Sequence, residues 1–253
     1  MPPKLEIYSY KISNLEKFEN DIKFIIIMAT FNRKNGKTPS YLERSLESIM
    51  KQKYTNWDLI IVGDKYEPEN ELTTIINKYK NKTKNNIYYL NNISVERDFV
   101  TNNLWNCAGA TSMNVGLNFA RKKGYKYYCH LDDDDYWTDE HLSSLIEAYG
   151  KYPSCIFANT KSTHVGSYLP NEDMEIYENN RLPIPMGTIH SSFSFRIDIL
   201  PFYYLTSLTE NGVDTPSDAN MLGKIKQFLE ENKMYSSIYV SKLTCYHDIE
   251  GQS

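Results

Sequence analysis

The chain reads as an α/β protein with a Rossmann-like, mostly parallel central sheet flanked by helices. Three observations point there. Apolar runs of about six residues, too continuous for one-sided strands, recur along the first half. Runs of helical periodicity alternate with them, in the order β-α-β-α-β. Polar signatures follow directly on the strands, where open parallel sheets place their ligands.

The 253 residues suffice for one large α/β unit with a sizeable core. Residues 1–22 are mixed and polar and lead into the first strand, residues 24–29, β-branched and fully apolar. A loop at 30–39 follows. Ser40 with Glu43 has the spacing of a capping box, and Leu42, Leu46, Ile49 and Met50 give residues 41–52 an amphipathic helical face. Residues 57–62 form a second buried strand ending at Gly63 and Asp64, 69–79 a second helix, and 87–90 a third strand. After a polar connection, 109–122 is a third helix stopped by Gly124, and 125–131 a fourth strand. Thr138 caps a helix running to residue 149, with Asp139 and Glu140 in its first turn. Residues 154–159 make a fifth strand, 161–187 a loop expected to be mobile, 188–195 a strand and 218–233 a helix. Residues 237–240 and 244–246 close the chain as two strands.

The net charge of -4 gives no electrostatic case for nucleic acid. The four cysteines, Cys107, Cys129, Cys155 and Cys245, form no Cys-x-x-Cys pair, which excludes the common zinc and thioredoxin-like patterns. They fit a reducing, cytoplasmic setting. No apolar run approaches the ~20 residues of a membrane span, and no transmembrane segment or signal peptide is expected.

Asp132, Asp133, Asp134 and Asp135 stand together at the end of the fourth strand. Four adjacent carboxylates repel one another unless a cation neutralises them, and oxygen-only ligands favour Mg²⁺ or Mn²⁺. An ion held by one or two carboxylates can neutralise a diphosphate leaving group. A calcium loop of EF-hand type fails, because Trp137 stands at the required glycine. A helix N-terminus accounts for Asp135 and Asp139, but not for four aspartates closing an apolar strand.

With these residues in view, the chain resembles the family 2 glycosyltransferases of GT-A fold. Residues 24–33, ending in Thr30, Phe31, Asn32 and Arg33, are similar to the family's first strand and its Thr-Tyr-Asn-Arg turn. Residues 41–64 resemble its first helix and second strand, and Asn114-Val-Gly-Leu117 its Asn-x-Gly-Ile/Leu segment. Leu131 to Trp137 is similar to Leu-Asp-x-Asp-Asp-x-Trp, the Asp-x-Asp metal motif, and residues 217–225 to a Glu-Asp-x-x-Leu-x-x-Arg-Ile pattern.

The resemblance implies one GT-A domain over 1–253, with a nucleotide-sugar half at 1–135 and a partly antiparallel acceptor half at 136–253. It implies an inverting transfer from a nucleotide-diphosphate sugar, UDP-linked before GDP-linked, to an acceptor hydroxyl, with Mn²⁺ or Mg²⁺. Thr30, Phe31 and Arg33 would line the base and Asp64 would hydrogen-bond it; Asn114, Asp132 and Asp133 would complete the donor site. Asp134 and Asp132 would ligate the metal, His247 serving as a further metal or phosphate contact. Asp218 would be the general base, Asp214 the runner-up, and His190 an acceptor-side residue. The pattern departs at Ala29, Gly63, Met113, Ser217 and Ile249, which stand for Pro, Asp, Arg, Glu and His. These departures leave an inactive nucleotide-sugar-binding module as one alternative; a sugar nucleotidyltransferase, suggested by the loop at 33–37, is another. The acceptor, whether glycan, lipid or protein, has no readable code in residues 161–187 and 200–216, and most of the 21 tyrosines are structural.

Overall fold

The computed structural model describes residues 22–94, 107–170, 183, 185–206 and 215–248. In chain order these form β1 (Phe24–Thr30), α1 (Thr38–Met50), β2 (Trp57–Asp64), α2 (Glu69–Lys80), β3 (Ile87–Asn92), α3 (Ala110–Lys122), β4 (Tyr127–His130) and β5 (Tyr136–Trp137). Then come α4 (His141–Lys151), β6 (Cys155–His164), β7 (Ser167–Leu169), a 3-10 turn (His190–Ser192), β8 (Phe193–Arg196), α5 (Ser217–Glu231) and β9 (Ser236–Tyr246). The strands make one nine-stranded sheet, ordered β3-β2-β1-β4-β8-β6-β9-β5 with β7 on β6. Its first four strands are parallel. β8 then runs antiparallel to both β4 and β6, β9 runs parallel to β6, and β5 antiparallel to β9. The expected parallel half and partly antiparallel second half are thus one continuous sheet.

The continuous apolar strands are explained by burial on both faces. Phe24, Ile26 and Met28 of β1 face one cluster with Leu42, Leu46 and Ile49 of α1. Ile25 and Ile27 face the other with Leu117 and Ala120 of α3 and Ile225 of α5. Each such side chain contributes roughly 1.5–3 kcal/mol by leaving water. α3 packs so close to β1 that a Cβ on Gly116 would fall inside van der Waals contact with Ile27. The Asn-x-Gly segment therefore has a packing reason for its glycine.

Several expectations are corrected. The Ser40–Glu43 capping box does not form. α1 begins at Thr38, three residues before the expected Tyr41, with Pro39 in its first turn, and the Ser40 hydroxyl donates to the Lys37 carbonyl at 2.8 Å. A proline lacks the N–H that the first turn leaves unbonded anyway, so it fits there without a cap. Thr138 is not a cap either: its N–H is drawn to the Thr244 carbonyl at 2.9 Å, β5 occupies Tyr136–Trp137, and α4 starts at His141. Residues 161–169 are not loop but the end of β6 turning into β7; the rest of that segment lies largely outside the described residues. Residues 188–195 divide into a 3-10 turn and a short strand, and the two closing strands are one, β9, bent by register shifts against β6. All four cysteines are free. No helix among the described residues is long and apolar enough to cross a membrane.

Candidate active site

Three parallel strands, β1, β2 and β4, deliver their carboxyl ends to one mouth. Thr30 ends β1 opposite Gly63 of β2, and Asp132 follows two residues after β4. Thr38 at the start of α1 sets the turn between them, accepting from the Arg33 N–H at 2.9 Å and donating to the Phe31 carbonyl at 3.1 Å. The turn leaves Phe31 38% exposed rather than part of the core.

The four aspartates acquire four different surroundings. Asp133, buried, accepts from the Thr30 hydroxyl at 2.6 Å and from Arg33 Nη2 at 2.7 Å. Burial lifts its pKa while Arg33 and Thr30 pull against the rise. Arg33 Nη2 also reaches Asp134 at 3.0 Å, so one guanidinium serves two carboxylates. Burial opposes the charge on Arg33, but Asp133 and Asp134 outweigh it and push its pKa up. Asp134 is pushed up to about 8, by burial and then by repulsion from Asp133, Asp135 and Asp132. Asp135, fully buried, accepts from His247 Nδ1 at 3.0 Å and the Asp248 N–H at 3.0 Å. Burial opposes a charge on His247, but Asp135 outweighs it and raises its pKa to about 9.

Asp132 is the open one, its side chain 35% exposed. Oδ1 meets His130 Nε2 at 2.8 Å. Oδ2 accepts from the Ser191 hydroxyl at 3.3 Å and faces His190 Nδ1 at 3.7 Å. Burial opposes its charge, yet the two histidines hold it well below the usual carboxylate range. The two imidazoles stack with centroids 3.5 Å apart and planes 13° apart. His130 is pushed down to about 4, first by burial and then by His190.

The structure brings together most of the expected donor residues. Asp64, buried at the end of β2, accepts from the Ser112 hydroxyl of α3 at 2.8 Å. A Cβ on Gly63 beside it would lie 2.5 Å from Asn91 Oδ1, so the family's usual acid there would displace the Asn91 side chain from its bonds to Tyr66. Arg33 points to the tetrad. Asn114 turns to the backbone of Tyr204, donating to its carbonyl and accepting its N–H, both at 2.8 Å. Asp218 opens α5 and accepts the Ala219 N–H at 2.8 Å. His247 lies on Asp135. Asp214 and Ile249 lie outside the described residues.

Sequence reasoning missed several residues. Arg44 of α1 donates to the Asp134 carbonyl and pairs with Asp248 at 2.7 Å. The Ser45 hydroxyl shares its one proton between the Asp133 carbonyl at 3.0 Å and that of Asp135, so α1 grips the tetrad's backbone. Polar residues inside an amphipathic helix carried no label. His130 carried a faint one, a lone ionisable group in an apolar strand two residues before the tetrad. Ser191 and Tyr204 gave no local sign.

The donor set suits a hard divalent cation. Asp133 and Asp134 share one guanidinium, and Asp135 faces His247, so the tetrad's carboxylates outnumber the cations set against them. Separately, nitrogen and oxygen atoms of His130, Asp132 and His190 lie within 4.8 Å of one another, a group able to hold a metal ion. The stacked rings direct their lone pairs along nearly parallel planes, so sharing an ion requires one ring to turn.

A parallel half closed by an antiparallel strand, with an acidic mouth at the strand ends, defines a GT-A glycosyltransferase. The chain belongs to glycosyl transferase family 2, whose model matches residues 25–200. It is 46% identical over 242 residues to an uncharacterized glycosyltransferase of Acanthamoeba polyphaga mimivirus, covering 92% of this chain and 96% of that protein. It is 28% identical over 145 residues to Protein CgeD of Bacillus subtilis, covering 56% of this chain and 30% of that one. Among solved structures, the 1-349 fragment of S. aureus TarS superposes with a TM-score of 0.63 at 18% identity, over 89% of this chain and 60% of that one. That fragment has been solved with UDP and with UDP-GlcNAc. A mannosyltransferase of Pyrobaculum calidifontis, solved with GDP-Man and Mn²⁺, superposes with a TM-score of 0.62 at 12% identity, over 95% of this chain and 65% of that one.

Proposed function

We propose that the chain transfers a sugar, with inversion, from a nucleoside-diphosphate sugar to an acceptor hydroxyl, UDP being the preferred carrier. What supports this reading is the placing of the β1 turn, Asp64 and the tetrad at the carboxyl ends of adjacent parallel strands. The solved neighbours' nucleotide sugars and Mn²⁺ support it by analogy of fold. Phe31 and Asp64 hold the nucleoside, and Asp132 presents its open edge to the ribose and diphosphate. Asp134 and Asp132 would hold a divalent cation, which supplies neutralisation of the departing diphosphate. Asp218 removes the proton from the acceptor hydroxyl as its oxygen bonds to the anomeric carbon, and the bond from that carbon to the diphosphate oxygen breaks. Residues 1–135 serve the donor in this reading and 136–253 the acceptor.

The test is turnover of UDP-sugars, by transfer or hydrolysis, with Mn²⁺ or Mg²⁺. Asp134→Ala and excess EDTA should each lower it by about 100-fold or more, the range for removing a preorganised electrostatic contact. Full activity in both sinks the reading. UDP binding without turnover under any acceptor would instead favour the inactive binding module.

A further inference from the structure

Arg44 of α1 serves two partners from one guanidinium. Nη2 donates to the Asp134 carbonyl, and Nη1 pairs with Asp248 Oδ2 at 2.7 Å. Two aromatic rings hold the group in place: its central carbon lies 5.0 Å from the centroid of Tyr41 and 4.9 Å from that of Tyr136. Tyr136 in turn stacks on Tyr246, the last residue of β9, with planes 2° apart.

These contacts close a circuit. It runs from Arg44 to the Asp134 carbonyl and across one peptide bond to Asp135. The Asp135 carboxylate accepts the Asp248 N–H at 3.0 Å, and the Asp248 carboxylate returns to Arg44. His247 is carried along: Nδ1 lies 3.0 Å from Asp135 Oδ1, and its N–H donates to Thr163 Oγ1 at 3.0 Å. Residues 246–248 are thereby fixed against the tetrad, and so is the main chain from which the Asp134 side chain projects. A guanidinium suits this task. It offers donors on separate edges of one plane and stacks on rings, whereas an ammonium is a single point of charge.

We propose that Arg44 is a positioning residue for the cation site: with Asp248 it forms a latch that holds residues 246–248 on the tetrad and sets the Asp134 main chain for a divalent ion. The proposal rests on the reading that Asp134 holds such an ion. Arg44 is not a ligand, and its partner on Asp134 is the carbonyl rather than the carboxylate.

The sign of the effect separates a latch from plain electrostatics. Charge alone predicts that Arg44→Gln, which removes a cation, tightens Mn²⁺ binding, and that Asp248→Asn, which removes an anion, weakens it. By charge alone Arg44→Lys changes nothing. The latch predicts that all three variants weaken Mn²⁺ binding by about tenfold or more, the usual effect of losing a residue that orients a metal ligand. Each single variant already opens the circuit, so Arg44→Gln combined with Asp248→Asn should bind no more weakly than the weaker single variant.

The experiment titrates the full chain with Mn²⁺, with and without UDP, reading free ion by electron paramagnetic resonance. Arg196→Gln is the control. Arg196 pairs with Asp198 at 2.6 Å and lies 5.2 Å over the Tyr127 ring, at the end of β4 away from the tetrad. Its loss should leave Mn²⁺ affinity within about twofold. In amide-resolved hydrogen exchange, the Asp248 N–H should exchange about tenfold faster or more in Arg44→Gln, and not in Arg196→Gln. Asp248→Asn, which keeps the side-chain shape, serves if Arg44→Gln does not fold. Unchanged or tighter Mn²⁺ binding in Arg44→Gln, an additive double variant, or a loss matched by Arg196→Gln overturns the proposal. A wild type that binds no Mn²⁺ in either condition refutes the cation reading instead. Faster Asp248 exchange in Arg44→Gln then still upholds the latch, and unchanged exchange refutes it.

Discussion

Asp134 and Asp135 are neighbours in sequence and opposites in physics. Asp135 is fully buried with two N–H donors aimed at it, so its charge is solvated by the protein. Asp134 shares one guanidinium with Asp133 and feels three like charges. Replacing each by asparagine should therefore act in opposite directions. Asp135→Asn strips an acceptor from buried donors and should cost about 1–3 kcal/mol of stability. Asp134→Asn removes repulsion and should leave the metal-free protein as stable or more so, while abolishing any rise in Tm on adding Mn²⁺ or Mg²⁺. Thermal melts with and without the cation check both; a Mn²⁺-dependent shift surviving in Asp134→Asn counts against Asp134 as a ligand. The aspartates themselves were legible in the sequence as a group. Their division of roles was not, because their partners come from residues about 100 positions away.

At the scale of elements, α1 and α3 brace the mouth from the two faces of the sheet. α1 fastens the tetrad through Arg44 and Ser45, and Gln52 at its end bonds the Thr138 carbonyl at 2.6 Å and the Leu142 N–H at 2.9 Å. α3 brings Ser112 to Asp64, and does so because Gly116 lets it settle against Ile27. Gly→Ala within a helix normally stabilises by up to about 1 kcal/mol. Here the added methyl must displace a fully buried Ile27 in the central strand, and overpacking of that kind costs about 1–3 kcal/mol. Gly116→Ala should thus be net destabilising by about 1–2 kcal/mol, seen as a lower denaturant midpoint with unchanged slope. A higher midpoint would show that α3 has slack. The helices were legible from periodicity, but their first residues were not. The starts at Thr38 and His141 are set by Pro39 and by the pull of Thr244 on Thr138, not by side-chain caps.

For the whole molecule, buried histidines couple folding to pH. Burial holds His130 and His141 neutral, down to about 4 and about 3 respectively from the ordinary 6.5. Below 6.5 the unfolded chain takes up protons that the folded chain refuses, so stability falls as pH drops, until the folded values are reached. At pH 5 each histidine removes about 2 kcal/mol by this linkage. His247 has the opposite sign. Its folded value, raised to about 9, gives a contribution that is full below 6.5 and is lost as pH rises through 9. Asp134, pushed up from 3.8 to about 8, adds a loss of the same sign that sets in above pH 3.8 and is complete by about pH 8, and which a bound cation should relieve. In chelator, stability should peak near pH 6 to 7, and Mn²⁺ should lift Tm more at pH 8 than at pH 6. Unfolding free energy across pH 4–9 checks this, with His141→Gln expected to flatten the acid limb; an unchanged acid limb in that variant refutes the assignment.

The sequence by itself determined the class of sheet and the chain order of its elements to β4, and it marked the polar strand ends as the candidate site. Those follow from local patterns: continuous apolar runs, helical periodicity and polar residues at strand ends. Only the tertiary structure decided which carboxylate faces which partner, that β8 reverses the sheet, and that Asn114 grips Tyr204. The physical reason is range. Periodicity is written within a dozen residues, whereas the contacts of the tetrad with Ser191, Arg33 and Asp248 join residues 59 to 113 positions apart, and no local pattern carries that distance.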